Sequence, residues 1–169
     1  MKPTEAYKHC LICGNTLVPK EDFLECIQCH YKQHLNPTPS NAAIIENGDG
    51  EILLVERGRE PQKGYWDLPG GFMAEYESLE ESVKREIKEE LGVDIEVDDI
   101  IGAYPDVYDY QDILVPTICI AVSGKITEGE LHPADDVASY KFFSKEEVVQ
   151  QKLAFKSLDQ ALIDYLRRK

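Results

Sequence analysis

The stretch from Gly71 to Val93 constrains this chain more than any other. Ser78 followed by Glu81 has the spacing of a capping box, in which each side chain satisfies a free backbone N–H and a helix begins. Leu79, Val83, Ile87 and Leu91 recur every fourth residue, so a helix over 78–91 buries them as one stripe. Gly92 then supplies the left-handed residue that ends it. Glu86, Glu89 and Glu90 lie on a different face. Carboxylates so close repel unless a cation sits among them, and hard oxygen donors of this kind suit Mg²⁺ or Mn²⁺. Lys84, Arg85 and Lys88 offer a plainer way to neutralise that face. Residues 75–99 still hold 11 acidic and three basic residues, so −8 of the chain's net charge of −14 falls in this one segment.

Nearer the N-terminus, Cys10, Cys13, Cys26 and Cys29 follow the pattern C-x2-C-x12-C-x2-C. Two such pairs at this separation match a zinc ribbon, with each tight bend presenting two soft thiolates to a tetrahedral ion. Asn15 to Glu25 is long enough for a short hairpin between the bends. A segment of about 30 residues cannot stand on its own apolar core, so the metal would hold it. Four thiolates close the site, which makes this Zn²⁺ structural. His9, His30 and His34 then read as surface residues, and Cys119, within TICIAV, as a buried strand residue. The proline-bearing link Asn36–Ser40 breaks regular structure, giving an expected ribbon over 1–36 and a second domain over 40–169.

The second domain alternates strands and helices. Residues 42–45 and 51–56 read as strands, and Asn47-Gly48-Asp49-Gly50 as a hairpin turn joining them. Residues 57–71 read as a loop. Further strands are expected at 94–97, 101–108, 113–123 and 137–143. Ser144 with Glu147, and Ser157 with Gln160, have capping-box spacing for two more helices, the last ending in Arg167-Arg168-Lys169. This order implies an α+β fold, an α/β/α sandwich. Apolar residues make up 43% of the chain, enough for one core. The acidic balance argues against nucleic acid as a partner. No run of 18 apolar residues exists, so no membrane span is expected. The polar start MKPTEAYKHC lacks an apolar segment, and the expected location is cytoplasmic.

Together, Gly71, Glu77 and Arg85-Glu86-Ile87-Lys88-Glu89-Glu90-Leu91-Gly92-Val93 reproduce G-x5-E-x7-R-E-U-x-E-E-x-G-U, with U aliphatic. An accidental match has a probability on the order of 10⁻⁹ per starting point. The chain thus resembles the Nudix hydrolases, and Gly64–Phe72 is similar to the family's usual approach to its box. Ala74 and Tyr76 depart from the Glu and Gly that many members carry. The resemblance implies a Nudix sandwich with a mixed sheet and metal-dependent hydrolysis of a nucleoside diphosphate linked to another group. It implies that Glu86, Glu89 and Glu90 hold Mg²⁺ or Mn²⁺, and that Arg85 orients these carboxylates. Glu77 would add a ligand or pair with Arg85, and the Gly70 or Gly71 carbonyl would reach a metal. The general base stays open among Glu128, Glu130, Asp135, Asp136 and Glu89. Arg57 and Arg59 are candidates to grip a phosphate. Tyr65, Trp66, Tyr104, Tyr108 and Tyr110 are candidates to stack on a base. A ribbon ahead of the box resembles NADH, FAD and ADP-ribose pyrophosphatases, although their S-Q-P-W-type motif is replaced by Ile100-Ile101-Gly102-Ala103-Tyr104-Pro105-Asp106. The expected substrate is therefore an ADP-containing compound such as ADP-ribose, FAD or NADH. The alternatives are a nucleotide sensor without turnover or a dNTP-sanitising pyrophosphatase. A homodimer formed through the ribbon is a further expectation.

Overall fold

Two compact units make up the chain in the computed structural model, which describes residues 1–168. The first comprises Met1–Thr38 together with Val107–Thr117. After α1 (Pro3–Ala6), the strands β1 (Leu17–Pro19), β2 (Phe23–Cys26) and β3 (Lys32–His34) form an antiparallel sheet in that order. Its core is small: Cys10, Leu17, Leu24 and Cys26 are the buried residues. Val107–Thr117 is the tip of a long hairpin, turned by Gln111 and Asp112 with φ of 50° and 66°. Two positive φ values in sequence match the twist of an antiparallel pair. The tip is tied to the start of the chain, since the Leu114 N–H donates to the Met1 carbonyl at 2.8 Å.

The second unit comprises Pro39–Asp106 and the chain from Ile118 onward. It contains β4 (Thr38–Ile45), β5 (Ile52–Arg57), β6 (Trp66–Asp67), α2 (Leu79–Leu91), β7 (Asp94–Tyr110), β8 (Ile113–Glu128), β9 (Val137–Phe143), α3 (Lys145–Val148) and α4 (Lys156–Arg168), apart from the hairpin tip. The strands form two sheets, ordered β4-β8-β7 and β6-β5-β9. Pairing is antiparallel for β5 with β6 and β9, and parallel at the Trp66–Leu153 bridge. One face is covered by α2, whose Val83, Ile87 and Leu91 pack with Ala43, Ile45, Leu53 and Val55. The other is covered by α3 and α4, where Val148, Leu158, Ala161, Leu162 and Tyr165 join Ala42, Ile44, Ile52 and Leu54. The result is an α+β fold with α/β/α layering and mixed pairing.

The expected hairpin of 42–45 with 51–56 does not form. The Asn47 turn is present, its Oδ1 accepting from the Asp49 and Glu51 N–H groups. Beyond it the strands enter different sheets, and Glu46–Ile52 is an isolated bridge. Both runs are apolar at every position over 42–45 and 52–55, so each needs cover on both faces. Residues 94–97 and 101–108 belong to one strand, β7, and β6 interrupts the loop expected over 57–71. The last helix starts at Lys156, and Ser157 does not cap it. Instead the buried Ser157 donates its N–H to Asp106 Oδ2 at 2.8 Å, so a tertiary acceptor replaces the local box. Lys169 lies outside the described residues.

Candidate active site

The platform is α2, whose start and end are set locally. Ser78 Oγ accepts from the Glu81 N–H, and the Glu81 carboxylate accepts from the Ser78 N–H at 2.9 Å. Gly92 closes the helix in the left-handed region. With Val83 and Ile87 locked in the core, the rotation of the helix is fixed. It turns Glu90 inward to 6% exposure, leaves Glu86 half-buried and keeps Glu89 exposed. The three glutamates share one side of the helix but differ in burial.

Glu86 and Glu90 lie against consecutive glycines. A Cβ on Gly71 would meet the Glu86 carboxylate at 2.5 Å, and the Gly70 N–H donates to Glu90 Oε2 at 2.9 Å. Gly70 has φ of 144°, which side chains rarely adopt, and its Cβ would meet the Asn41 carbonyl at 2.5 Å. Only glycine permits the turn to sit this close. The Gly71 carbonyl accepts from the Asn41 N–H at 2.8 Å. Burial pushes the Glu90 carboxyl up to about 9, with Asp136, Asp67 and Glu86 adding repulsion. Burial also raises the Glu86 carboxyl, against the pull of Arg85.

Arg85 gathers the remaining carboxylates. Its Nε and Nη2 grip Glu77 at 2.8 and 2.9 Å, and its Nη1 donates to Glu86 at 2.8 Å and to Glu89 at 3.1 Å. This fork holds the Glu77 carboxyl down to about 2. Glu77, Glu86 and Glu89 thus converge on one guanidinium, while Glu90 faces the glycine turn.

Two aspartates complete the cluster. Asp67, at the end of β6, is buried and pushed up to about 6, although Arg57 pulls the other way. Nothing in the sequence pattern singled out Asp67 beyond its place in the Gly64–Phe72 approach. Arg57 Nη1 donates to Asp67 Oδ2 at 2.8 Å and its Nε to the Pro61 carbonyl at 2.8 Å, with the Phe155 ring beneath it. The guanidinium anticipated as a phosphate grip is thus engaged with a buried carboxylate. Of the acidic residues over 128–136, Asp136 is the one whose charge bears on Glu86, Glu90 and Asp67. A bulge brings it there: Glu56 pairs with Ser139 but Arg57 with Val137. The Gly58 N–H donates to the Asp136 carbonyl at 2.6 Å, and a Cβ on Gly58 would sit 2.8 Å from that oxygen. Arg59 bridges Asp135 at 2.8 Å and Asp136 at 3.0 Å.

Among the aromatic candidates, Tyr65 is exposed with Lys152 Nζ over its ring. Trp66 packs edge-on against Phe143, and Tyr104 is turned into the core with its hydroxyl on Asp164. Tyr108 and Tyr110 belong to the hairpin tip in the first unit.

That unit holds the second metal-type cluster. Cys10, Cys13, Cys26 and Cys29 are free thiols whose four Sγ atoms lie within 4.8 Å of one another, the one set this compact among the described residues. Sulfur contacts of 3.5–3.6 Å approach the roughly 3.8 Å edge of a tetrahedral zinc–sulfur site. Asn15 hydrogen bonds lower the Cys13 thiol, favouring its thiolate, while burial and the neighbouring thiols raise Cys29.

A family model described as the NUDIX domain matches residues 36–165. The chain belongs to the Nudix family. Among Nudix proteins it is 38% identical over 141 residues to an ADP-ribose pyrophosphatase of Methanocaldococcus jannaschii, covering 82% of this chain and 79% of that one. It is 29% identical to the NAD-capped RNA hydrolase NudC of Pseudomonas aeruginosa, with 96% of this chain aligned but spanning only 58% of that relative's length. The crystal structure of a Nudix hydrolase from Nitrosomonas europaea superposes with a TM-score of 0.78 at 23% identity, covering 96% and 92% of the two chains, a likeness of fold. The chain is accordingly a Nudix pyrophosphohydrolase.

Proposed function

We propose that the chain hydrolyses the pyrophosphate bond of an ADP-containing compound, with ADP-ribose as the first candidate. The single observation that carries this reading is the pair of carboxylates, Glu86 and Glu90, held against Gly70 and Gly71 beside Asp67 and Asp136. Support for the substrate comes from the methanogen relative, whose name is that of an ADP-ribose pyrophosphatase.

The donor set fits a hard divalent cation: crowded carboxylate oxygens raise one another's affinity for positive charge. Glu86, Glu89 and Glu90, with the Gly70 carbonyl and Glu77, would hold Mg²⁺ or Mn²⁺. When bound, the ion supplies charge neutralisation at the diphosphate and a more acidic water. Arg85 keeps Glu77, Glu86 and Glu89 oriented, and the Gly70 N–H orients Glu90. Asp136 is our candidate acceptor for the proton of the attacking water. Water adds to one phosphorus, the bridging P–O bond breaks, and ADP-ribose yields AMP and ribose 5-phosphate. Tyr65 is a candidate contact for the base. The cysteine quartet fits a structural Zn²⁺, with residues 1–36 as its ribbon and 40–169 as the catalytic domain.

The test is a panel of ADP-ribose, NADH, FAD, NAD-capped RNA and dNTPs with Mg²⁺ and with Mn²⁺, products resolved by chromatography. AMP from ADP-ribose is expected. Glu86→Gln or Glu90→Gln should lower kcat by about 10²–10³-fold. Tight nucleotide binding without turnover of any compound would replace this reading with that of a sensor.

A further inference from the structure

We infer that Asn41 is a positioning residue for this reaction, fixing the Gly70–Gly71 turn relative to the Glu77–Arg85 pair by way of Ser82. Asn41 lies on β4 and is 3% exposed. Its backbone N–H donates to the Gly71 carbonyl at 2.8 Å. Its side-chain Nδ2 donates to Ser82 Oγ, also buried, at 2.8 Å. The turn rests directly on this residue, since a Cβ on Gly70 would lie 2.5 Å from the Asn41 carbonyl oxygen and 2.9 Å from its Oδ1. Ser82 extends the link, because its hydroxyl accepts from Arg85 Nη2 at 3.5 Å, the guanidinium that grips Glu77 with two nitrogens. One buried side chain therefore joins the glycine turn that Glu86 and Glu90 lie against to the arginine that holds Glu77, Glu86 and Glu89.

Stability does not account for a polar residue here. Asn41 Oδ1 is buried without a hydrogen-bond partner among the described residues. A buried acceptor left unmade is unfavourable, and an apolar side chain of similar size would avoid it. What the amide contributes is direction: Nδ2 can reach Ser82 only while the strand, the turn and the first turn of α2 keep their present spacing.

The inference rests on the proposed hydrolysis for its kinetic test and has a second test that does not need turnover. Asn41→Ala, Ser82→Ala and the double variant are compared by kcat and KM on ADP-ribose per folded molecule. Mn²⁺ affinity is measured by calorimetry without substrate. Each single variant should lower kcat about tenfold or more, because small misplacement of reacting groups is costly. KM should stay within about threefold, and the double variant should be no worse than the poorer single, as expected for one shared link. Mn²⁺ should bind several-fold more weakly in each. Should Asn41→Ala fail to fold, Ser82→Ala decides alone, since it removes one hydroxyl. Wild-type kcat and Mn²⁺ affinity in a variant whose only change is a lower melting temperature would overturn the inference, as would losses that add in the double variant. A wild type that binds Mn²⁺ but turns over nothing would sink the proposed function alone; the manganese comparison would still decide the role of Asn41. A wild type that does neither would end both.

Discussion

Glu86 and Glu90 stand one helical turn apart, yet Glu90 is the more deeply buried and the more strongly perturbed. Its raised pKa has a definite sign for stability. The unfolded chain releases this proton near 4.5, while the metal-free fold holds it up to about 9. Metal-free protein should therefore lose stability as pH rises from about 4.5 to about 9, and level off above. Glu90→Gln cannot ionise and should remove this contribution, so the variant gains on wild type as pH rises. Thermal melting in chelator near pH 5, 7 and 9 checks it, and a constant difference between the two proteins would rule it out. Glu77 carries the opposite sign. Arg85 holds it down to about 2, so its stabilisation is complete above about 4.5 and is lost as pH falls toward 2. Arg85→Lys cannot reproduce the two-nitrogen grip on Glu77 while reaching Glu86 and Glu89. It should lower kcat by about 10²-fold, measured on the substrate identified by the panel.

At the level of elements, the bulge between β5 and β9 decides where Asp136 sits. Gly58→Ala places a Cβ 2.8 Å from the Asp136 backbone oxygen, so the chain there must move away. The expected outcome is a stability loss of about 1–2 kcal/mol with a tenfold or greater fall in kcat. Gly124→Ala is a matched comparison, because its Cβ would meet the Glu96 carbonyl at 2.7 Å at a strand pair that carries none of the acidic cluster. It should lower the melting temperature by a similar amount and leave kcat per folded molecule unchanged. Equal kcat for the two variants would deny the bulge a role in placing Asp136. The helix α2 was legible from residues 78–92 because its cap, its apolar period and its terminating glycine are all local signals. The bulge was not, since a register shift involves two strands some 80 residues apart and has no local composition of its own.

For the molecule as a whole, the N-terminal unit has four buried core residues, two of them cysteines of the quartet. A core this small would need the proposed metal to stand. Elemental analysis should find about one zinc per chain. A strong chelator, or Cys13→Ser, should abolish the calorimetric transition of this unit, and an unchanged trace would refute a structural zinc. The sequence by itself determined the α/β/α class, the glutamate-bearing helix and the spacing of the cysteines, because these depend on residues within about a dozen positions of one another. Tertiary structure alone decided that β4 and β5 part into separate sheets and that the hairpin tip Val107–Thr117 belongs with the first unit. It also decided that Asp106 caps α4, that Arg57 is engaged with Asp67, and that Glu90, Asp67 and Asp136 share one acidic cluster. These depend on which surfaces cover which apolar face, and on where charges distant in sequence meet once water is excluded.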